Sequence, residues 1–257
     1  MSRYTASFAP SGGLHPTLEL SIAHPAAPGL SCALYTLVTV PRGLIADKYE
    51  LQQLERDERL GASGDSAFIH TGEADLEAPA WRAGAARVLL RLRNADVADK
   101  GKARAYEGDE ALAVAIPLHL RYQDPVERRW IGGARRDVRP VAVEWPWVFW
   151  ACDNVPTSLS TVPCPPDSLP HLAAAFPQLS SSTLHFVQSN RSGPSSTVCP
   201  PLRPPPLVLA APTGVLEDLP VIEGVTAAAV WACFAFLCWT AVRSYRGAPR
   251  RAKEKEA

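Results

Sequence analysis

Imidazoles and carboxylates are the side chains of this chain best able to do chemistry, and their spacing decides what chemistry is open to them. The six His are scattered, with no HxH, HExxH or CxxC arrangement to hold a metal. No G-x-S-x-G elbow exposes a nucleophile, and no P-loop glycine run offers a phosphate cradle. His119 stands between Leu118 and Leu120 and is the best single imidazole for proton transfer. Asp75 and Glu77 flank Leu76, which on a strand puts both carboxylates on one face. Acid–base catalysis would require such groups to converge on a pocket that shifts their pKa values. A hydrogen-bonded structural histidine and two solvated carboxylates are the commoner result of this pattern. No catalytic residue, metal ligand or cofactor site is therefore assigned.

The elements that must position these residues read mainly as strands. Leu18, Leu20 and Ile22 alternate with Thr17, Glu19 and Ser21, the period of a half-buried strand. Ser31 to Val40 is rich in β-branched and aromatic residues and stops at the turn signal Pro41-Arg42-Gly43. Residues 47–60 read as a short helix, with Asp47 as cap and Leu51 and Leu54 on one face. Strands are expected at 86–93, 111–122, 138–143 and 207–211. Pro117, which cannot donate to a ladder, belongs at an edge or bulge. His119 and Arg121, two apart on that strand, would then share a face opposite Leu118 and Leu120, a possible surface for a docking partner. The aromatic run Trp145 to Trp150 suits a core strand, with a partner-binding edge or a membrane-interface contact as alternatives. Residues 156–206, rich in Pro and Ser, read as loop. Short strands with turn signals predict a mainly β, sandwich-like domain over 1–218.

A different element follows. Val225 to Val242 is an uncharged apolar run, extended upstream by Leu219, Val221 and Ile222. Roughly 20 such residues cross about 30 Å of hydrocarbon, so 219–242 is expected to be a single transmembrane helix. Arg243, Arg246, Arg250, Arg251, Lys253 and Lys255 then make 243–257 a cytosolic tail and leave the body lumenal or outside. Net charge is zero and no basic stripe lies outside the tail, so nucleic acid is not a partner. Cys233 and Cys238 lie in the span, whereas Cys32, Cys152, Cys164 and Cys199 lie in the body, where three disulfide pairings are open, as is the absence of any. Asn190-Arg191-Ser192 is an N-glycosylation acceptor on the lumenal side. Met1 to His24 shows no basic start followed by an apolar stretch, so a further N-terminal piece is expected to direct translocation.

Several of these blocks together resemble the PIG-X family of glycosylphosphatidylinositol (GPI) biosynthesis. SCALYTLVTVPRGLIADKYELQQL (31–54) is similar to the family's cysteine, strand, Pro-x-Gly and Asp-x-Tyr-Glu-Leu block. ADLEAPAW (74–81) is similar to its Asp-x-Glu-x-Pro segment, and IPLHLRYQDP (116–125) to its Pro-x-His-x-Arg-Tyr strand. Phe149 to Asp153 and the terminal apolar run follow in the same order. The resemblance covers most of 14–155 and then 207–242; Lys48 departs from it, standing where the family often has proline.

What the resemblance implies is a non-catalytic, stabilising subunit in the endoplasmic-reticulum membrane. Its partner would be a multispanning, PIG-M-like catalytic chain of GPI mannosyltransferase I, which adds the first mannose to the anchor precursor. Support for the folding of other lumenal proteins is a further expectation. Cys32 and Cys152 both lie in resembling blocks and are expected to pair, with Cys164 and Cys199 paired around the unmatched stretch. The alternatives are a membrane-anchored binding module and a lumenal enzyme using His119 with Asp75 or Glu77.

Overall fold

A computed structural model describes residues 3–23, 31–57, 67–94, 111–127, 130–131, 134–135, 137–153, 163–164, 169, 172–190 and 204–254. The chain divides into two units, Met1–Asp124 with Val138–Thr213, and Pro125–Asp137 with Gly214–Ala257.

The first unit is built on two sheets that share one core. In the smaller sheet, β1 (Arg3–Ala9) pairs antiparallel with β2 (Thr17–Ala23), and β2 with β7 (Leu112–Pro117). Alternation decides which face of this sheet is buried: Leu18, Leu20 and Ile22 point in, and Leu112, Val114 and Ile116 do the same on the neighbouring strand. Pro117 lies at the end of β7, the outermost strand, where its missing N–H costs no ladder bond.

The larger sheet runs β13 (Pro163–Cys164), β14 (Thr183–Phe186), β12 (Trp147–Cys152), β3 (Cys32–Val40), β6 (Ala86–Asn94), β5 (Ala67–Gly72). Leu34, Val38, Val88, Leu90, Val148 and Trp150 meet the smaller sheet's Leu18, Ile22, Val114 and Ile116 in one hydrophobic cluster. Its opposite face is also covered. Leu37, Leu89, Trp147 and Phe149 pack there against Leu169, Leu172, Phe176, Leu179 and Leu184. Hence every residue of β12 is buried, and its sequence is continuously apolar where a half-exposed strand would alternate. The aromatic run is core.

The segment expected to be loop is thus partly ordered. Besides β13 and β14, it contains helix α2 (Leu172–Ala175), a 3-10 turn at Pro177–Leu179, and β15 (Gln188–Ser189), which pairs parallel with β1. Its Pro and Ser content masked a few widely spaced apolar anchors, of which Phe176 is fully buried.

Helix α1 (Lys48–Arg56) starts where Asp47 accepts a hydrogen bond from the Tyr49 N–H and buries Leu51; residues 58–60 lie outside the described residues. β4 (Leu44–Ile45) pairs with β8 (His119–Leu120), and β11 (Val138–Val143) with β16 (Leu207–Pro212). Gly72 ends β5 with φ +92°, and a Cβ there would lie 2.5 Å from the Ala85 carbonyl, so glycine is required. Cys32 and Cys152 form a disulfide across β3 and β12.

One buried and one half-buried histidine make this unit sensitive to acid. Burial lowers the pKa of His185, and burial with the nearby Lys48 ammonium lowers that of His70. Both imidazoles are thus favoured neutral in the fold, and their contribution is complete above the unfolded value of about 6.5. Below it the unfolded chain takes up more protons, and stability falls by up to about 1.4 kcal/mol per pH unit for each group. Urea unfolding at about pH 7.5 and pH 5.5 should show this decline, and His185→Gln should reduce it. Glu73 lies outside this window, because backbone N–H groups of Asp75 and Gly84 hold its carboxyl below the usual range.

In the second unit β9 (Trp130–Ile131) pairs with β10 (Ala134–Arg135), and Val126 bridges Val215. Helix α3 (Leu219–Glu254) follows and is 36 residues long. The stretch Leu216–Arg246 is long and apolar enough to cross a membrane, and none of its most apolar window is buried within the chain. The helix therefore continues well past Val242, where the sequence suggested it would end.

Candidate functional site

The polar groups converge where β8, the first turn of α1 and the 14–16 loop meet. The loop is fixed by backbone bonds from Leu118 N–H to the Pro16 carbonyl, 2.9 Å, and from Leu120 N–H to the Leu14 carbonyl, 2.8 Å. His119 Nε2 lies 2.7 Å from a carboxylate oxygen of Glu50, and its Nδ1 lies 2.8 Å from Nδ1 of His15. The two rings meet edge to face with centroids 5.0 Å apart. A carboxylate only accepts, so the hydrogen of a neutral His119 sits on Nε2, and its Nδ1 lone pair takes the Nδ1–H of His15. Both nitrogens of His119 are thereby engaged. The relay orients the imidazole and ties three segments together.

Neither His15 nor Glu50 was singled out by sequence reasoning. Glu50 carried a signal nevertheless: it stands three residues after the cap Asp47, the spacing of a capping box. Here one of its oxygens reaches a different element. Asp75 and Glu77, expected on one strand face, lie in a loop of Asx-type turns instead. Glu73 accepts from the Asp75 N–H and Asp75 from the Glu77 N–H, 2.9 Å each. These local bonds compete with a ladder, which is why the alternation at 75–77 misled.

Arg121 corrects a second expectation. β8 ends at Leu120, and the Arg121 side chain turns inward, leaving the residue 5% exposed, not beside His119 on a docking face. Its Nε donates to the Leu44 carbonyl at 3.3 Å, and one terminal nitrogen donates to the carbonyls of Asp75 and Ala78, the latter at 2.7 Å. Burial works against the guanidinium charge, and the nearby Glu73 and Asp75 carboxylates favour it. The backbone joins the same knot. Arg121 N–H donates to the Gly43 carbonyl at 3.1 Å, and the Gln123 side-chain amide donates to the carbonyls of Gly43 and Arg121 at 3.0 and 2.9 Å. Gly43 packs closely here, and a Cβ would lie 3.3 Å from the Gln123 amide nitrogen and from the Val141 methyls, which would have to give by a few tenths of an ångström. Three blocks distant in sequence, 41–45, 73–80 and 118–123, are thus fastened through one guanidinium.

Among the remaining sites, Asn190 is exposed, and its N–H donates to the Tyr4 carbonyl at the end of β15. Arg191 and Ser192 lie outside the described residues. Cys164 is disulfide-bonded, whereas Cys199 lies outside the described residues. Cys233 and Cys238 are free and exposed on α3.

Fold and site together define a mainly β protein with a helix able to cross a membrane, whose polar cluster positions chain segments. The PIG-X / PBN1 family model matches residues 11–242, which takes in both the β body and the apolar helix. The chain belongs to this family, which is associated with GPI-anchor biosynthesis. It is 36% identical over 157 residues to Protein pbn1 of Emericella nidulans, across 58% of this chain and 27% of that protein. With Protein pbn1 of Aspergillus fumigatus it is 37% identical over 159 residues, 58% of this chain and 29% of the relative. With that of Schizosaccharomyces pombe the figure is 27% over 145 residues, 55% of this chain and 38% of the relative. The chain thus spans between a quarter and two fifths of the length of these relatives.

Proposed function

We propose that this chain is the non-catalytic, stabilising subunit of the endoplasmic-reticulum mannosyltransferase that adds the first mannose to GPI-anchor precursors. Its partner is a multispanning catalytic chain, with the β body on the lumenal side and the basic tail in the cytosol. The observation that carries this reading is the extent of the family match, which runs through the body into the apolar helix as one architecture. The site agrees with it. A histidine with both nitrogens engaged and an arginine spent on carbonyls hold a shape. The Lys/Arg excess after Val242 supports the orientation, and exposed Asn190 is then a glycosylation site. A stabilising body of this kind also suits support for the folding of other lumenal proteins.

Affinity isolation of the full-length chain in mild detergent tests the assignment. A multispanning transferase should co-purify, and glycosidase should increase the gel mobility of the isolated chain. His119→Ala should lower the amount of transferase recovered while leaving activity per surviving complex near normal. Intact complex with turnover reduced roughly a hundredfold, the scale of a lost acid–base group, would instead make this chain catalytic.

A further inference from the structure

Beside the Arg121 knot, on the first unit, lies a groove of about 190 Å³ that none of the roles above uses. Its walls are the Pro41–Gly43 turn, Ala80 and Trp81, Gln123 and Asp124, and the Arg139–Ala142 stretch of β11. The volume is below the roughly 300 Å³ at which pockets for drug-sized ligands begin, so it suits a single ring.

Its chemistry is specific. Trp81 is 52% exposed although it is the largest side chain in the wall. It is held by a turn in which Arg82 and Ala83 N–H donate to the Pro79 carbonyl and Ala80 N–H donates to the Tyr122 carbonyl. An indole this open, on a backbone this well anchored, offers an apolar face to a ligand. Around it stand planar polar groups. Both amide hydrogens of Gln123 are spent on the Gly43 and Arg121 carbonyls, which leaves Oε1 as an acceptor. Arg42 is exposed and carries no ion pair among the described residues. Arg139 and Asp124 form an ion pair at 2.8 Å with both side chains more than two-fifths exposed. A pair this exposed contributes little to stability, so it opens readily to share its donors and acceptors with a ligand.

We propose that this groove is a monosaccharide site: one pyranose ring rests its C–H face on Trp81 while its hydroxyls meet Arg42, Gln123 Oε1 and the Arg139–Asp124 pair. A phosphate would leave the indole unused and would face the Asp124 carboxylate. That the groove takes a pyranose does not rest on the subunit assignment; only the choice of mannose as probe does.

Saturation-transfer NMR on the full-length chain in detergent micelles, with methyl α-D-mannopyranoside as probe, tests it. Transfer to the ring protons is expected, with a weak Kd of about 1 mM. Trp81→Ala should weaken binding at least tenfold and Arg42→Ala severalfold, with thermal midpoints unchanged because both side chains lie at the surface. No transfer, transfer unaffected by either variant, or full displacement by inorganic phosphate would overturn the proposal. A second arm offers a mannosylated lipid in the same micelles and a soluble oligomannose glycan. Tighter capture of one identifies the source of the sugar as membrane glycolipid or glycoprotein, and capture of neither overturns the site.

Discussion

Arg121→Ala is expected to destabilise the β body by roughly 3–5 kcal/mol, the scale of a broken buried charged network. Truncation removes the donor shared by the carbonyls of Leu44, Asp75 and Ala78. A buried carbonyl left without a partner, as at Leu44, costs about 1–3 kcal/mol, and the cost is smaller at the part-buried bonds to Asp75 and Ala78, where water can enter. Arg121→Lys should recover little, because a single ammonium cannot reproduce the reach of the guanidinium fork from β4 to the 75–78 loop. Urea unfolding of the full chain in micelles measures the change. A loss under 1 kcal/mol would mean that the knot is not fastened as described. Because His119 sits two residues away on the same segment, its contacts to His15 and Glu50 should loosen with it.

Removal of the Cys32–Cys152 disulfide is the second large effect. The bond joins residues 120 apart in sequence, and a loop of that order carries roughly 5 kcal/mol of closure entropy in the unfolded chain. Paired Cys32→Ser and Cys152→Ser substitutions should therefore lower stability by about 2–4 kcal/mol, the usual range once native-state effects intervene. The effect should vanish when both proteins are unfolded in reductant. A double variant as stable as its parent under oxidising conditions would refute it.

Much of the fold was legible in the residues. Leu18, Leu20 and Ile22 alternate because one face of β2 is buried, and that period survives whatever the strand pairs with. Asp47 announced α1 because a cap is a local interaction. The uncharged run announced the apolar helix for the same reason, since it rests on composition alone. What sequence missed depended on distant partners. β1 was not foreseen, although Tyr4 and Ala6 alternate inward, and β14 was hidden because its Leu184 and His185 are both buried under different neighbours. Asp75 and Glu77 kept the period of a strand but found their bonds within the loop. The site was half visible. His119 and Arg121 were flagged as a pair, yet nothing in their two-residue spacing could show that one meets Glu50 and His15 while the other is buried among carbonyls.

The parallel pairing of β1 with β15 has a consequence for synthesis. Arg3 and Tyr4 are made long before Gln188 and Ser189, the residues they pair with. The Tyr4 hydroxyl also waits for the Pro146 carbonyl, 142 residues later. At about 5–20 residues per second, that interval is about 7–28 s. During it β1 and β2 can pair with each other, but the apolar face they share has no larger sheet to cover it. The body therefore closes late and as a whole, and through most of its emergence it is itself a client of whatever shields apolar chains in its compartment.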